Sequence, residues 1–398
     1  MAILLRFVFF TGSIIFFILS GCQPIHPVHL LNDSSLLTGA ECMNQYLPLL
    51  KNKKVALVVN QSSRVGHVSL VDTLLESGVD IIRIFSPEHG YTGTLDAGKE
   101  WSDFNDNKTG LTIVSLYGKN RKPSAADMKD IEIIIFDIQD VGVRFYTYLS
   151  TLHYVMEACA DYRVPLLVLD RPNPNGFYVD GPVLDEKYKS FVGMHPVPVV
   201  HGMTLGEMAK MIDGEGWVSG CDLTVILCRN YNHSVRYILP VYPSPNLRSM
   251  RAVYLYPSLG LFEGTKISVG RGTAFPFEVY GHPDLLNTSF AFIPQPNEGC
   301  SSPMFAQVEC KAVDLRQINT DSLFVQRRLW LEYLIDAYRR SPQKKDFFNP
   351  FIVKLYGRDD LPQMIEAGMT PEEIRKTWMV DLEKFKIKRA RYLLYPDF

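Results

Sequence analysis

Two segments set carboxylates, a histidine and a cation close enough together for acid–base chemistry. Ser86-Pro87-Glu88-His89-Gly90 puts a carboxylate beside an imidazole, between a rigid proline and a glycine. Phe136-Asp137-Ile138-Gln139-Asp140 runs on into Val141-Gly142-Val143-Arg144-Phe145-Tyr146-Thr147-Tyr148, where two further carboxylates precede a cation among aromatic rings. Glu88 is the candidate general acid or base, although a Glu at that place also suits a helix cap. His89 is a candidate second proton carrier or sugar ligand, and a lone loop histidine equally serves as a plain hydrogen-bonding residue. Asp137 and Asp140 are candidates for a second carboxylate or for binding a sugar hydroxyl; they would equally pair with Arg144 and organise the loop. Arg144 offers a planar fork for a carboxylate, and Tyr146 an aromatic face for the apolar side of a sugar ring. Asp96 is another carboxylate in range, with no context to rank it.

Further along, Phe262-Glu263-Gly264-Thr265 and Gly270-Arg271-Gly272 have the same character, with Glu263 and Arg271 as candidate acid and cation. The glycines beside Arg271 allow backbone to approach a ligand closely. Neither this segment nor the first strand supplies G-x-G-x-x-G, and P-loop, H-E-x-x-H and G-x-S-x-G patterns are absent, so no dinucleotide, metal or other cofactor is expected.

The elements that must position these residues are short and alternate in type. Apolar runs at Val55–Val59, Ile81–Phe85, Thr112–Leu116, Ile131–Phe136, Leu166–Leu169 and Leu223–Leu227 read as strands covered on both faces. Between them, Leu70, Leu74 and Leu75 mark a helix stopped by Gly78; Leu149, Leu152, Val155, Met156 and Cys159 mark a second. Thr204 caps a third over Gly206–Ile212. The fold class expected is α/β, a Rossmann-like, doubly wound, mostly parallel sheet over residues 38–247. Beyond it, aromatic strands at Ala274–Tyr280 and Phe290–Ile293 and helices at Ser322–Tyr338 and Thr370–Lys386 predict a smaller α+β domain over 248–398.

In an open parallel sheet ligands bind beyond the carboxyl ends of the strands. Those ends carry Asn60, then Glu88 and His89, then Tyr117, then Asp137 and Asp140, then Asp170-Arg171-Pro172-Asn173. Asn60, Asp170, Arg171 and Asn173, with Asn246 of Ser244-Pro245-Asn246-Leu247, are therefore candidate substrate ligands alongside His89, Asp140, Arg144, Tyr146 and Arg271.

The N-terminus predicts the compartment. Arg6 followed by the apolar stretch Phe7–Leu19 is shorter than the roughly 20 residues that span a bilayer, and suits a signal peptide over residues 1–21. Leu19-Ser20-Gly21-Cys22 follows, with the alternative that Cys22 is incidental to an ordinary cleaved signal. An acylated Cys22 would anchor the body at a membrane, each buried CH₂ contributing about 0.8 kcal/mol. Residues 22–37, rich in Pro, His, Asn and Ser, read as a tether. The expected location is the cell envelope, on the periplasmic side of the outer membrane. A net charge of −2 argues against a nucleic-acid partner. Of the seven cysteines, Cys300 and Cys310 are close enough in sequence to pair, whereas Cys159 sits in a helical apolar stripe as a buried thiol; no C-x-x-C spacing suggests zinc.

Phe85–Gly90, Phe136–Tyr148, Asp170–Pro174, Ser244–Leu247 and Phe262–Thr265 through Gly281-His282-Pro283 together make the chain resemble the NamZ-type exo-β-N-acetylmuramidases over nearly its whole length past the tether. The Leu19–Cys22 segment likewise resembles a bacterial lipobox, which implies acylation of Cys22. The family resemblance implies removal of N-acetylmuramic acid from the non-reducing end of peptidoglycan fragments, in a cleft between a Rossmann-like domain and a smaller one. A muramic acid substrate carries a lactyl carboxylate, which Arg144 or Arg271 would meet. Glu88 is then the expected acid, with Glu263 or Asp137 opposite, unless the sugar's own 2-acetamido group acts as nucleophile. Two other classes stand beside this one: a non-catalytic wall-binding lipoprotein, and an amidase or esterase on the same polymer.

Overall fold

The computed structural model describes residues 36–398. The expected signal peptide, Cys22 and nearly all of the expected tether lie outside the described residues. Leu36 and Leu37, at the end of the expected tether, belong to the fold: Leu37 exchanges backbone hydrogen bonds with Arg229 at 3.1 and 2.8 Å, and both side chains pack against buried clusters. Their side chains are apolar, and the fold uses them.

Six parallel strands form the centre: β1 Lys54–Val59, β2 Asp80–Ser86, β3 Thr112–Ser115, β4 Ile133–Asp137, β5 Leu166–Leu169 and β6 Leu223–Ile226. They lie in the order β6-β5-β4-β1-β2-β3, and a two-residue antiparallel strand, Phe104–Asn105, completes a seven-stranded sheet on the β3 edge. This is the expected doubly wound arrangement, with its strand order reversing between β1 and β4. The pleat divides the core. Val55, Leu57 and Val59 join one buried cluster with the helices Met43–Leu50 and Leu70–Glu76. Ala56, Val58, Ile134 and Phe136 join the other, with the helices Tyr148–Tyr162 and Leu205–Gly214.

Local chemistry sets the helix starts. Ser69 accepts from the Asp72 N–H, and Thr204 and Glu207 form a reciprocal capping box. The helix Tyr148–Tyr162 lacks a side-chain cap, because the Thr147 hydroxyl at its N-cap position is turned elsewhere.

The chain after Leu247 builds a three-stranded antiparallel sheet, β7 Val279–His282, β8 Phe290–Phe292 and β9 Cys310–Asp314, in the order β7-β9-β8. The two long helices expected there are each broken. Arg327 adopts φ 50° after the helix Thr320–Gln326, and the Leu329 N–H bonds Asp180 Oδ2 at 2.7 Å instead of a helical carbonyl. The second splits into Pro371–Lys376 and Met379–Arg389 around the fully buried Trp378. A further helix, Met250–Leu259, was hidden in the sequence by Pro257 inside its last turn. Its buried face belongs to the same cluster as one face of the central sheet, so the smaller part packs onto the larger through continuous apolar contact.

Where the strand order reverses, the ends of β1 and β4 are filled from within. Asp137 takes Arg171 in a two-pronged pair, Nε at 2.5 Å and Nη2 at 2.8 Å. Arg171 also donates to the Arg64 carbonyl, and Ser63 Oγ donates to the Asp137 carbonyl. Burial disfavours the Arg171 charge, but the Asp137 carboxylate outweighs it and holds the guanidinium above its ordinary range. Breaking one side of such a pair leaves a buried charge uncompensated. Asp137→Asn should therefore lower unfolding stability by about 3–5 kcal/mol, read from urea transitions; a change below about 1 kcal/mol would mean that water reaches the pair.

Candidate active site

Beside the sheet lies a cleft of about 470 Å³, within the roughly 300–1,000 Å³ usual for small-molecule sites. Its floor comes from the loops after β2, β3 and β4, its opposite wall from the chain after Leu247. Glu88, His89, Tyr146, Asn246, Glu263 and Arg271 all line it, and so does Asp96.

Glu88 is held on both oxygens. Oε1 accepts the Gly98 N–H at 2.8 Å, and Oε2 accepts the Thr147 hydroxyl at 2.6 Å. Thr147 thus gives up capping its own helix to orient this carboxylate, at the helix end whose dipole favours negative charge. The helix-cap reading of Glu88 does not hold; its side chain faces the cleft. Burial and the Glu88 charge push the Tyr117 hydroxyl upward, so it stays protonated beside the carboxylate.

His89 has φ 69°, uncommon for a residue with a side chain. Its Nδ1 lies 2.7 Å from the Leu95 carbonyl, which can only accept, so Nδ1 carries the proton and Nε2 keeps a free lone pair. Burial lowers its pKa, and the ring is neutral. Asp96 Oδ2 accepts both the backbone N–H, at 2.8 Å, and the hydroxyl of Ser301, tying the loop after Glu88 to the opposite wall.

On that wall Arg271 donates to Glu263 Oε1 from Nε at 3.2 Å and Nη2 at 2.5 Å, and lies 5.0 Å from the centre of the Phe277 ring. Burial lowers the Arg271 pKa and Glu263 more than restores it. The flanking Gly270 and Gly272 have φ 77° and 83°, which hold Arg271 at the tip of a tight turn. A Cβ on Gly272 would meet Pro303 at 2.7 Å and the Gln295 carbonyl at 2.8 Å. These glycines let the turn pack closely against its neighbours. Asn246 Nδ2 braces the same wall by donating to the Gly299 carbonyl at 2.9 Å.

The remaining sequence candidates lie outside the cleft lining. Asp137 and Arg171 neutralise each other behind it. Arg144 is buried and donates to the carbonyls of Pro182, Val197 and Leu355 at 2.7–2.8 Å; burial without a carboxylate partner pulls its pKa down to about 9. It clamps three backbone segments and is unavailable to a substrate carboxylate, nor does it pair with Asp137 or Asp140. Asn60 Oδ1 accepts from the Ser62 N–H and hydroxyl, a local turn. Asp170 accepts from Thr204, Gly206 and Tyr395, and Asn173 bridges Asn175 and the Met203 carbonyl. Polar residues at strand ends are here mostly internal fasteners. Asp140 is buried with one oxygen on the Gly142 N–H at 2.6 Å and the other without a partner among the described residues. Cys300 and Cys310 are both free thiols, as are Cys42, Cys159, Cys221 and Cys228; Cys310 is sealed within β9 while Cys300 lines the cleft.

Several lining residues escaped the sequence reading. Thr147 and Tyr148 stood inside a segment already singled out, and Tyr117 at a strand end already noted. Tyr256, Phe277 and Phe351 carried no signal, since a distant aromatic cannot be told from core without the fold.

Burial raises the Asp140 pKa to about 7. A carboxyl that holds its proton in the folded state while the unfolded chain releases it near 3.9 costs stability progressively as pH rises from about 4 to about 7. Asp140→Asn keeps the acceptor for Gly142 and removes that cost. The variant should exceed the parent in stability by up to about 4 kcal/mol at pH 8, the gap closing toward pH 4. Urea unfolding across this range checks it, and a pH-independent gap would refute the assignment.

Comparison with known proteins agrees with this architecture. Residues 55–251 match the model of the N-terminal domain of exo-β-N-acetylmuramidase NamZ, and residues 254–395 that of its C-terminal domain. The peptidoglycan β-N-acetylmuramidase NamZ of Bacillus subtilis (strain 168) is 34% identical over 98% of this chain and 99% of that one. Two crystal structures of DUF1343 family proteins from Bacteroides fragilis superpose with TM-scores of 0.85 and 0.73, at 48% and 26% identity, each over 91% of this chain and 99% of the other. The architecture, the domain matches and the near full-length identity together place this chain in the NamZ exo-β-N-acetylmuramidase family.

Proposed function

We propose that the protein removes N-acetylmuramic acid from the non-reducing end of peptidoglycan fragments, with the chemistry in the cleft around Glu88. The observation that carries this reading is Glu88 itself: a carboxylate fixed on both oxygens beside a neutral histidine, across a cleft from a cation. Glu88 gives a proton to the glycosidic oxygen as its bond to the anomeric carbon breaks, a water hydroxyl takes the leaving group's place there, and the water's other proton returns to Glu88; general acid–base help of this kind contributes about 10²–10⁴-fold. His89, neutral with Nε2 open, accepts a hydrogen bond or a proton from a sugar hydroxyl or water. Arg271 keeps Nη1 for the lactyl carboxylate, while Glu263 orients it. With Asp137 consumed by Arg171, Glu263 is the opposing carboxylate that remains. Tyr146 lines the cleft beside them as the ring for the apolar side of the sugar.

The cleft belongs in the cell envelope on this reading, with Cys22 carrying the lipid at the periplasmic face of the outer membrane. Fourteen peptide steps separate Cys22 from Leu36, at most roughly 45–50 Å of extended chain. That reach holds the site near the membrane, where wall fragments are released.

Release of muramic acid from a chromogenic muramide tests the roles. Glu88→Gln should reduce kcat by at least about 10²-fold with the fold intact. Arg271→Met should raise KM for the muramide far more than for the matching glucosaminide, which lacks the lactyl group. Near-parental turnover by Glu88→Gln would overturn the assignment of the acid.

A further inference from the structure

Of the cations that an acidic glycan would seek, Arg144 is committed to three carbonyls, and Arg271 to Glu263 and, on the reading above, to the lactyl group of the sugar in the cleft. Arg121, between β3 and the helix Ala125–Met128, is not. Among the described residues it makes no ion pair, and its Nε is buried without a hydrogen-bond partner. The neighbouring Lys122, by contrast, pairs with Glu157 and Asp161 at 3.2 and 2.7 Å. The guanidinium carbon lies 4.3 Å from the centre of the Phe191 ring. Phe191 in turn stacks on Tyr154 at 6.3 Å and meets Tyr117 edge-on at 5.8 Å. Tyr117 and Val192, the residue after Phe191, both line the cleft, so this aromatic shelf with its cation adjoins the cleft wall.

A cation spread flat on a ring is already ordered, so gripping an anion costs it little further side-chain freedom. A partly exposed fork over an aromatic shelf has the chemistry for a sugar that carries a carboxylate. On the reading above, the released muramic acid fills the cleft, and the rest of the glycan must leave across its rim.

We propose that Arg121 and Phe191 form an outer subsite that takes the carboxylate of the next muramoyl residue along the glycan, its lactyl group or the peptide built on it. This rests on the muramidase reading and makes Arg121 a determinant of preference for longer, anionic fragments. It plays no part in bond cleavage.

The test compares two substrates of the full-chain enzyme: a chromogenic muramide with an uncharged leaving group, and a tetrasaccharide of alternating muramic acid and glucosamine. Arg121→Gln should lower kcat/KM on the tetrasaccharide about ten-fold, chiefly through KM, and leave the muramide within about two-fold. Arg121→Lys should recover part of the loss. Esterifying the tetrasaccharide carboxylates should erase the difference between parent and variant. Equal effects on both substrates, or none on either, would overturn the outer subsite and leave Arg121 as a cover for Phe191. Should the parent cleave neither substrate, the muramidase reading falls. Calorimetric titration of the tetrasaccharide then still decides the subsite, and equal affinity of parent and Arg121→Gln rejects it.

Discussion

The Asp137–Arg171 pair sits where the sheet reverses direction, the place at which open α/β folds leave a crevice. Here the protein's own charges occupy the base of that place. Asp137 ends β4, Arg171 follows β5, and the pair reaches the Arg64 carbonyl after β1, so one buried contact ties three strand ends together. Neither charge survives burial without the other. The cleft that holds Glu88 lies to one side, over the ends of β2 and β3 and under the second half of the chain.

A second set of fasteners fixes what covers the sheet. Asp170 binds Thr204, Gly206 and the Tyr395 hydroxyl, while Arg389 donates to the Gly202 carbonyl and pairs with Asp397. These contacts bring the C-terminal segment back onto the first half of the chain. Burial raises Asp170 to about 6 even against its donors. Remote polar contacts thus join those within the cleft in fixing its walls, as a site requiring fixed geometry needs. Within it, the Thr147 hydroxyl serves the Glu88 carboxylate where it would ordinarily serve its helix, a local departure from good helix chemistry at a functional position.

The central strands, their parallel pairing and the helices between them were legible in the sequence, because continuous apolar runs and capping residues act locally. The site loops were legible too: Glu88, His89, Tyr146, Asn246, Glu263 and Arg271 stand in short, chemically unusual segments, and all line the cleft. Legibility failed where chain segments compete over long range. A helix over Ser322–Tyr338 is locally sound, yet Asp180, 149 residues before Leu329, takes that residue's N–H and breaks it.

What the sequence determined alone was which residues could carry chemistry and which strands could hold them, since residue type and spacing are local properties. Only the tertiary structure decided which of those residues share a space. Arg144 and Arg271 are alike as words in a sequence; one is sealed among carbonyls and the other opens on the cleft beside Glu263. Asp137 ends one buried strand and Glu88 follows another, and only the partner that each meets, Arg171 for one and Thr147 with Gly98 for the other, separates a fastener from a candidate acid. A charge's role depends on its dielectric surroundings and its partners, and those come from segments tens to hundreds of residues away.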